Sequence, residues 1–301
     1  MSTELSGVLV ISKPAGKTSH DVVGTVRRLY HTRRVGHTGT LDPMATGVLV
    51  VLIGRAAKAA EYITVHDKEY LATLRLGLTT DTEDTTGKTL TVSGDIPSPD
   101  RVAEITKRFV GQILQTPPMY SALKVNGQKL CDLARRGIEV ERAARPITVH
   151  ALDCRHLADN DYELRVACSA GTYIRTLCAD IGNACGCGGA MASLARLSVG
   201  NFSLSDAYTL EAIEAMDDEA RAQLLLPVES LFGDLTEVRL PAFFEKLSRS
   251  GCEIYQKKIN TDHAIGTRVR LCSANGSFYA LGEVREYEDG TAIKAIKLFD
   301  I

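Results

Sequence analysis

The sequence predicts an α+β chain in two parts: a large one built on a main sheet flanked by helices, and a small antiparallel β module at the C-terminal end. Three observations carry that expectation. Apolar runs of strand length, GVLVISKP and VLVVLIG, alternate with segments whose apolar residues recur at helical spacing. Beyond Thr236 the pattern changes to short strands separated by Asn-Gly and Asp-Gly pairs. The 301 residues, 45% of them hydrophobic, suffice for one large core and one small one.

Gly7 to Pro14 is an apolar run closed by proline, which reads as a buried strand. Thr18 or Ser19 caps the helix that follows. Val22, Val23, Val26 and Leu29 form its buried face, and Arg27, Arg28 and His31 its outer one. Val48 to Gly54 reads as a second buried strand, followed by a short alanine-rich helix through Tyr62. Lys68 to Gly77 alternates in character, a strand with Tyr70 near its start. DTEDTTG, Asp81 to Gly87, is a polar turn; its acids lack the closing Glu of a calcium loop. Ser98 and Pro99 open an amphipathic helix that Gly111 ends.

Thr116 to Gly137 is an irregular excursion. It has a Pro-Pro break, a short strand, an Asn126-Gly127 turn and a helix carrying Lys129, Arg135 and Arg136. Asp161 to Gly182 supplies a strand, a turn at Gly171 and a helix beginning near Tyr173. Arg175 then falls in the first helical turn, where the dipole disfavours a cation, so an anionic partner is expected. Met191 to Leu204 is a further strand and Thr209 to Ala220 an acidic helix. The expected division is residues 1–235, with the excursion at about 117–147, and residues 236–301. In the second part Lys257, Lys258, Arg268 and Arg270 offer a basic edge.

Composition narrows the function. A net charge of −2 and a pI near 6.4 exclude a chain that binds nucleic acid by overall basicity, so any such contact needs charge segregated along the sequence. Segregation is present. Between Val22 and Leu41 no acid occurs, while Arg27, Arg28, Arg33, Arg34, His31 and His37 do; residues 204–220 carry only acids. The N-terminus has no cationic start leading into an apolar core, and no apolar run reaches the ~18 residues of a membrane span, so a cytoplasmic protein is expected. Eight scattered cysteines read as reduced thiols. Cys178, Cys185 and Cys187 have no second pair or histidine at zinc spacing, so no metal is expected. Gly16, Lys17 and Thr18 match the end of a phosphate-binding loop, but Ile11 stands where its first glycine is needed and Pro14 removes a backbone donor.

GHTGTLDPMATG, Gly36 to Gly47, is the segment the rest is arranged around. Three glycines, four residues that are threonine or proline, and an Asp-Pro pair mark a loop of prescribed path with Asp42 at its centre. A lone carboxylate at the end of a cationic approach suits an enzyme acting on a polyanion. The plainer reading of Asp42 alone is a turn or a helix cap.

Together KPAGKTSHDVV, GHTGTLDPMATGVLVVLIG, KEYLATLRLG with TDTEDTTG, TPPMYSALKVNGQKLCDLARRG and CSAGTYIRTLCADIG closely resemble the TruB family of tRNA pseudouridine synthases. The resemblance covers residue 7 to about 235 in order, and the tail looks like a short PUA-like domain. It implies a pseudouridine synthase catalytic domain with a mixed, mainly antiparallel central sheet flanked by helices. It also implies a cofactor-free isomerase that converts uridine 55 in the T-loop of tRNA to pseudouridine; separately, nothing in the sequence suggests more than a monomer. By the same resemblance Asp42 matches the nucleophile, Tyr70 the aromatic that stacks on the flipped base, and Arg175 the partner of the carboxylate. His37, Tyr173 and Leu194 match substrate-contacting positions, and Lys13 and Pro14 the motif that buttresses the site. Departures from the usual pattern are Thr40, Met44, Cys131, Ala170 and Ala195, the last two standing where cations are common.

The chemistry implied needs an ionised carboxylate to act on the ribose C1′ or the base C6, because uracil is both leaving group and returning nucleophile. An arginine beside it holds it charged in a buried site. The base must leave the RNA stack, and an aromatic face such as Tyr70 replaces the lost stacking. Phosphate contacts are expected from Arg27, Arg28, Arg33, Arg34, Lys129, Arg135 and Arg136. The alternative is an RNA-binding or tRNA-folding protein that uses the same cleft without turnover.

Overall fold

The computed structural model describes residues 5–63, 67–125 and 127–299. The strands of the large part are β1 (Gly7–Lys13), β2 (Val35–His37), β3 (Thr46–Ile53), β4 (Lys68–Leu76), β5 (Leu78–Thr80), β6 (Thr89–Val92), β7 (Gly111–Gln115), β8 (Lys124–Val125), β9 (Gln128–Lys129), β10 (Arg145–Ala158), β11 (Asp161–Cys168), β12 (Gly189–Val199), β13 (Phe202–Ser203) and β14 (Tyr208–Thr209). Its helices are α1 (Ser19–Leu29), α2 (Ala60–Ile63), α3 (Pro99–Thr106), α4 (Leu130–Arg135), α5 (Ile174–Ala184), α6 (Leu210–Glu214) and α7 (Asp218–Gln223).

One sheet runs in the order β14-β1-β3-β12-β4-β11-β10-β7, with β13 on β12 and β2 on β3. Only β1 with β14 and β3 with β12 pair in parallel; the other pairs are antiparallel. Short loops can join antiparallel neighbours, and that favours this mainly antiparallel sheet. β1 and β3 are buried on both faces, which explains why they read as unbroken apolar runs rather than alternating ones. Leu9, Ile11, Leu49 and Val51 pack under the Val22, Val23, Val26 and Leu29 stripe of α1. Their alternates Val8, Val10, Val48 and Val50 pack against Phe232, Leu281 and Phe299.

Thr18 caps α1 through a reciprocal pair with Asp21. Other local expectations need correction. The alanine-rich segment is a 3-10 turn, Gly54–Ala59, followed by only one α turn. Ser98 makes no side-chain cap, so Pro99 alone sets the start of α3. The acidic helix is two short ones, capped separately by Thr209 and Asp217. Asn126 of the expected Asn126-Gly127 turn lies outside the described residues.

The C-terminal sheet has the order β15-β17-β18-β19-β16, from Thr236–Arg239 (β15), Ile254–Tyr255 (β16), Arg268–Cys272 (β17), Phe278–Tyr287 (β18) and Gly290–Leu298 (β19). It is a PUA-like β module, but not purely antiparallel: β15 runs parallel to β17, and two helices, α8 (Ala242–Arg249) and α9 (Gln256–Ile259), sit in its connections. Of its basic edge, Lys257, Lys258 and Arg268 stay exposed and only Arg270 is drawn in. Arg270 pairs with Glu229 and the Leu235 carbonyl, and Lys257 reaches the Asp289 carbonyl.

Candidate active site

The loop between β2 and β3 is fastened on both sides of its carboxylate, by Lys13, Ser19 and Arg196. Lys13, fully buried at the end of β1, donates from Nζ to the carbonyls of Pro14 (2.8 Å), Lys17 (2.6 Å) and Pro43 (3.2 Å). Burial lowers its pKa to about 8, with the nearby Asp42 charge opposing that fall. Ser19 Oγ accepts from the Leu41 N–H at 2.8 Å and donates to the Leu41 carbonyl at 3.2 Å. Arg196, on β12 and 1% exposed, donates to Val48 O (2.8 Å), Gly39 O (3.1 Å) and Thr40 O (3.4 Å). Gly47 closes the loop at φ +99°, where a Cβ would lie 2.2 Å from the Arg196 carbonyl, so β3 and β12 can meet there only through glycine.

Asp42 emerges from this frame onto Arg175. The guanidinium takes the carboxylate at two points, Nε to Oδ2 at 2.9 Å and Nη2 to Oδ1 at 3.3 Å. Arg175 is only 6% exposed, whereas Asp42 keeps 32% of its side-chain surface open, so the acid and not the arginine faces an incoming ligand. The rest of the guanidinium is held by Thr82 O (3.0 Å) and Tyr120 O (2.7 Å), with Asp84 Oδ2 at 3.9 Å from Nη1. Asp84 is fixed in turn by Thr82 Oγ1 and by the N–H and hydroxyl of Thr86. The polar turn of residues 81–87 is thus a clamp on Arg175. Burial raises the Asp42 pKa above the ordinary carboxylate value; Arg175 opposes the rise and Asp84 adds to it. The arginine therefore limits, without cancelling, the cost of burying this charge.

Tyr70, 7% exposed, lies in one apolar cluster with Leu41, Ala45, Ile174 and Leu194. Burial raises the pKa of its phenol, and hydrogen bonding to Arg196 works the other way. Tyr173 stands at the start of α5, its N–H and carbonyl both held by the side chain of Gln115 on edge strand β7 (2.8 and 3.0 Å). That grip aims Arg175, two residues on. His37 ends β2 with its pKa lowered by burial, then by Arg196 and His20. Pro14 follows β1 and lends its carbonyl to Lys13.

The expected cationic approach is only partly open. Arg27 donates to the Val35 carbonyl of β2 at 3.2 Å, and Arg28 pairs with Glu214 at 2.8 Å because the acidic helices fold back beside α1. Arg33, Arg34, Lys129, Arg135 and Arg136 are exposed, Arg135 beside Asp132 at 3.2 Å.

Residues 27–174 match the model described as TruB family pseudouridylate synthase (N terminal domain), and residues 175–233 the tRNA pseudouridylate synthase B C-terminal domain. This chain belongs to the TruB family of pseudouridylate synthases. It is 40% identical over 295 residues to the tRNA pseudouridine synthase B of Clostridium kluyveri, covering 98% of this chain and 100% of that one. To the enzyme of that name from Alkaliphilus oremlandii it is 42% identical over 297 residues, 98% of each. Among solved structures it is similar to a chain of an H/ACA RNP bound to a substrate RNA containing 2′-deoxyuridine. There the TM-score is 0.74 at 24% identity, covering 98% of this chain and 85% of the other, a likeness of fold. The five-stranded C-terminal sheet lies beyond both matched family segments.

In this TruB family member the structure adds residues that sequence reasoning missed. Arg196 had a readable signal: two positions after buried Leu194, it occupies an inward place in an alternating strand. Asp84 and Thr82 were visible only as turn residues. The carbonyl of Tyr120 and the amide of Gln115 act through backbone and long-range geometry, which no local pattern reveals.

Proposed function

We propose that the chain isomerises uridine to pseudouridine in tRNA, at position 55 of the T-loop, with Asp42 as the nucleophile. The observation that carries the proposal is the two-point hold of buried Arg175 on a partly open Asp42. The guanidinium keeps the carboxylate oriented and ionised while its outward edge meets the ribose C1′ or base C6 of a flipped nucleotide. The N1 glycosidic bond breaks, the uracil turns within the site, C5 bonds to C1′, the Asp42 carboxylate is released, and the proton lost from C5 is balanced by one taken up at N1. No external group is gained or lost. Tyr70 shares its cluster with Leu41 and Leu194, so a base that reaches its ring parts that cluster and replaces its packing with stacking.

Arg33, Arg34, Lys129, Arg135 and Arg136 supply phosphate contacts, Arg27 and Arg28 joining once RNA competes for them. His37, Tyr173 and Leu194 line the approach, and Lys13 and Pro14 buttress it. Residues 236–301 act as an accessory RNA-binding module. A single chain holds all of these groups, as a monomer working in the cytoplasm would require.

Incubating an unmodified T-loop stem-loop with the protein and mapping pseudouridine tests the reading. Product at the expected nucleotide supports it, and Asp42→Asn is expected to lose at least about 10³-fold in rate while still binding RNA. Full turnover by that variant would overturn the assignment.

A further inference from the structure

Gly39 is a glycine without an internal reason. Its φ lies outside the left-handed region, and a Cβ built there would stand 3.6 Å from Arg196 Nη1 and 3.8 Å from Lys68 Cε, ordinary van der Waals distances. Alanine would fit the free protein. What alanine would take away is the space above those two cations.

The cations are unusually arranged. Arg196 is buried and donates to three carbonyls, with the Tyr70 hydroxyl beside it; among the described residues no carboxylate lies within ion-pair distance of it. Lys68 opens β4 two residues before Tyr70, so both belong to one face of the strand. Burial and then the Arg196 charge lower the Lys68 pKa to about 8, with Cys168 and Asp67 opposing; Asp67 itself pairs with His150 at 3.1 Å. The same Arg196 charge bears on His37, whose Nδ1 is buried with no partner among the described residues. Positive groups that raise one another's energy, beside a gap left by a missing Cβ, make a place that an incoming anion stabilises.

We propose that Gly39 and Lys68, with Arg196 behind them, form the seat of one backbone phosphate of the RNA, the one beside the nucleotide that reaches Asp42. Lys68 makes the direct contact. Gly39 lets the sugar-phosphate chain pass close to the protein backbone, and Arg196 supplies a fixed positive field from beneath. The proposal rests on the reading that the substrate is RNA. It ties recognition to the loop that carries the nucleophile, three residues after Gly39.

The test uses T-loop stem-loops with one phosphate at a time replaced by an uncharged methylphosphonate, assayed with wild type, Lys68→Met, Lys68→Arg and Gly39→Ala. Lys68→Met is expected to need on the order of tenfold more RNA for half-maximal single-turnover rate, the scale of one charge-assisted hydrogen bond. Its maximal rate should stay within about twofold, the signature of lost binding rather than lost transition-state stabilisation. Its log affinity should fall less steeply with log salt, by about one unit of slope. One methylphosphonate position should weaken wild type equally and Lys68→Met no further. Lys68→Arg should recover most of the loss, and Gly39→Ala should weaken binding with its thermal midpoint unchanged. Wild-type affinity in both Lys68→Met and Gly39→Ala, or losses from Lys68→Met that add to those of every methylphosphonate alike, would overturn the proposal. A wild-type protein that makes no pseudouridine overturns the functional reading instead, and the salt slopes and methylphosphonate pairings, read by binding alone, still decide the phosphate seat.

Discussion

Two buried arginines flank the loop that carries Asp42, and they are partnered in opposite ways. Arg175 faces carboxylates, Asp42 at two points and Asp84 at the edge of reach, with two carbonyls completing its shell. Arg196 faces neutral oxygens, three carbonyls and the Tyr70 hydroxyl, and no carboxylate among the described residues. An arginine on a carboxylate orients a charge that can react. An arginine on three carbonyls organises backbone and leaves its own charge uncompensated. The same side chain therefore serves as a chemical partner on one side of the loop and as scaffolding on the other, and the partner atoms decide which.

Removing each arginine should separate those roles. Arg175→Met leaves two acids unpaired in a semi-buried site. A rate loss on the order of 10²-fold is expected, with about 3 kcal/mol of stability lost; single-turnover rates and denaturant melts measure both. Arg196→Met should weigh the other way, costing about 3 kcal/mol through carbonyls left without donors, with the smaller effect on the rate of the protein that remains folded. If Arg196→Met lost activity without losing stability, the contrast would fail.

The acid limb of kcat/KM sharpens it further. Because burial raises the Asp42 pKa, the ionised form is reached only at higher pH than for an ordinary carboxylate, and activity falls as pH drops through that raised value. Asp84→Asn removes a like charge and should move the limb to lower pH; a limb moving upward would show that Asp84 acts only by holding Arg175. The smallest effect is expected for Ser19→Ala, about 1 kcal/mol, through the lost bonds to Leu41.

The elements that sequence pattern made legible are those whose burial is simple. β1 and β3 are covered on both faces and α1 on one, so runs and helical spacing identify them. β10 went unread because most of its 14 residues are not buried, and its strand is set by pairing with β7 and β11 rather than by apolar alternation. The helix α8 was hidden in a region whose turns announce a β module. At the site, Asp42 stood out by its loop and Arg175 by its unfavourable place at a helix start. Their meeting across 133 positions was not a local property; it depends on Gln115 gripping Tyr173 and on the 81–87 turn closing over the guanidinium.

The apolar cluster that joins β1 and β3 to Phe232, Leu281 and Phe299 has a mechanical corollary. Phe232, Phe278 and Phe299 lie with ring centroids 5.6 to 5.9 Å apart, so the tail sheet is glued to the back of the very strands that bear the reactive loop. If the tail grips nucleic acid as proposed, the strand it holds is measured off against Asp42 like work clamped in a fixed-jaw vice, and the distance between the two grips becomes a gauge of which nucleotide is offered.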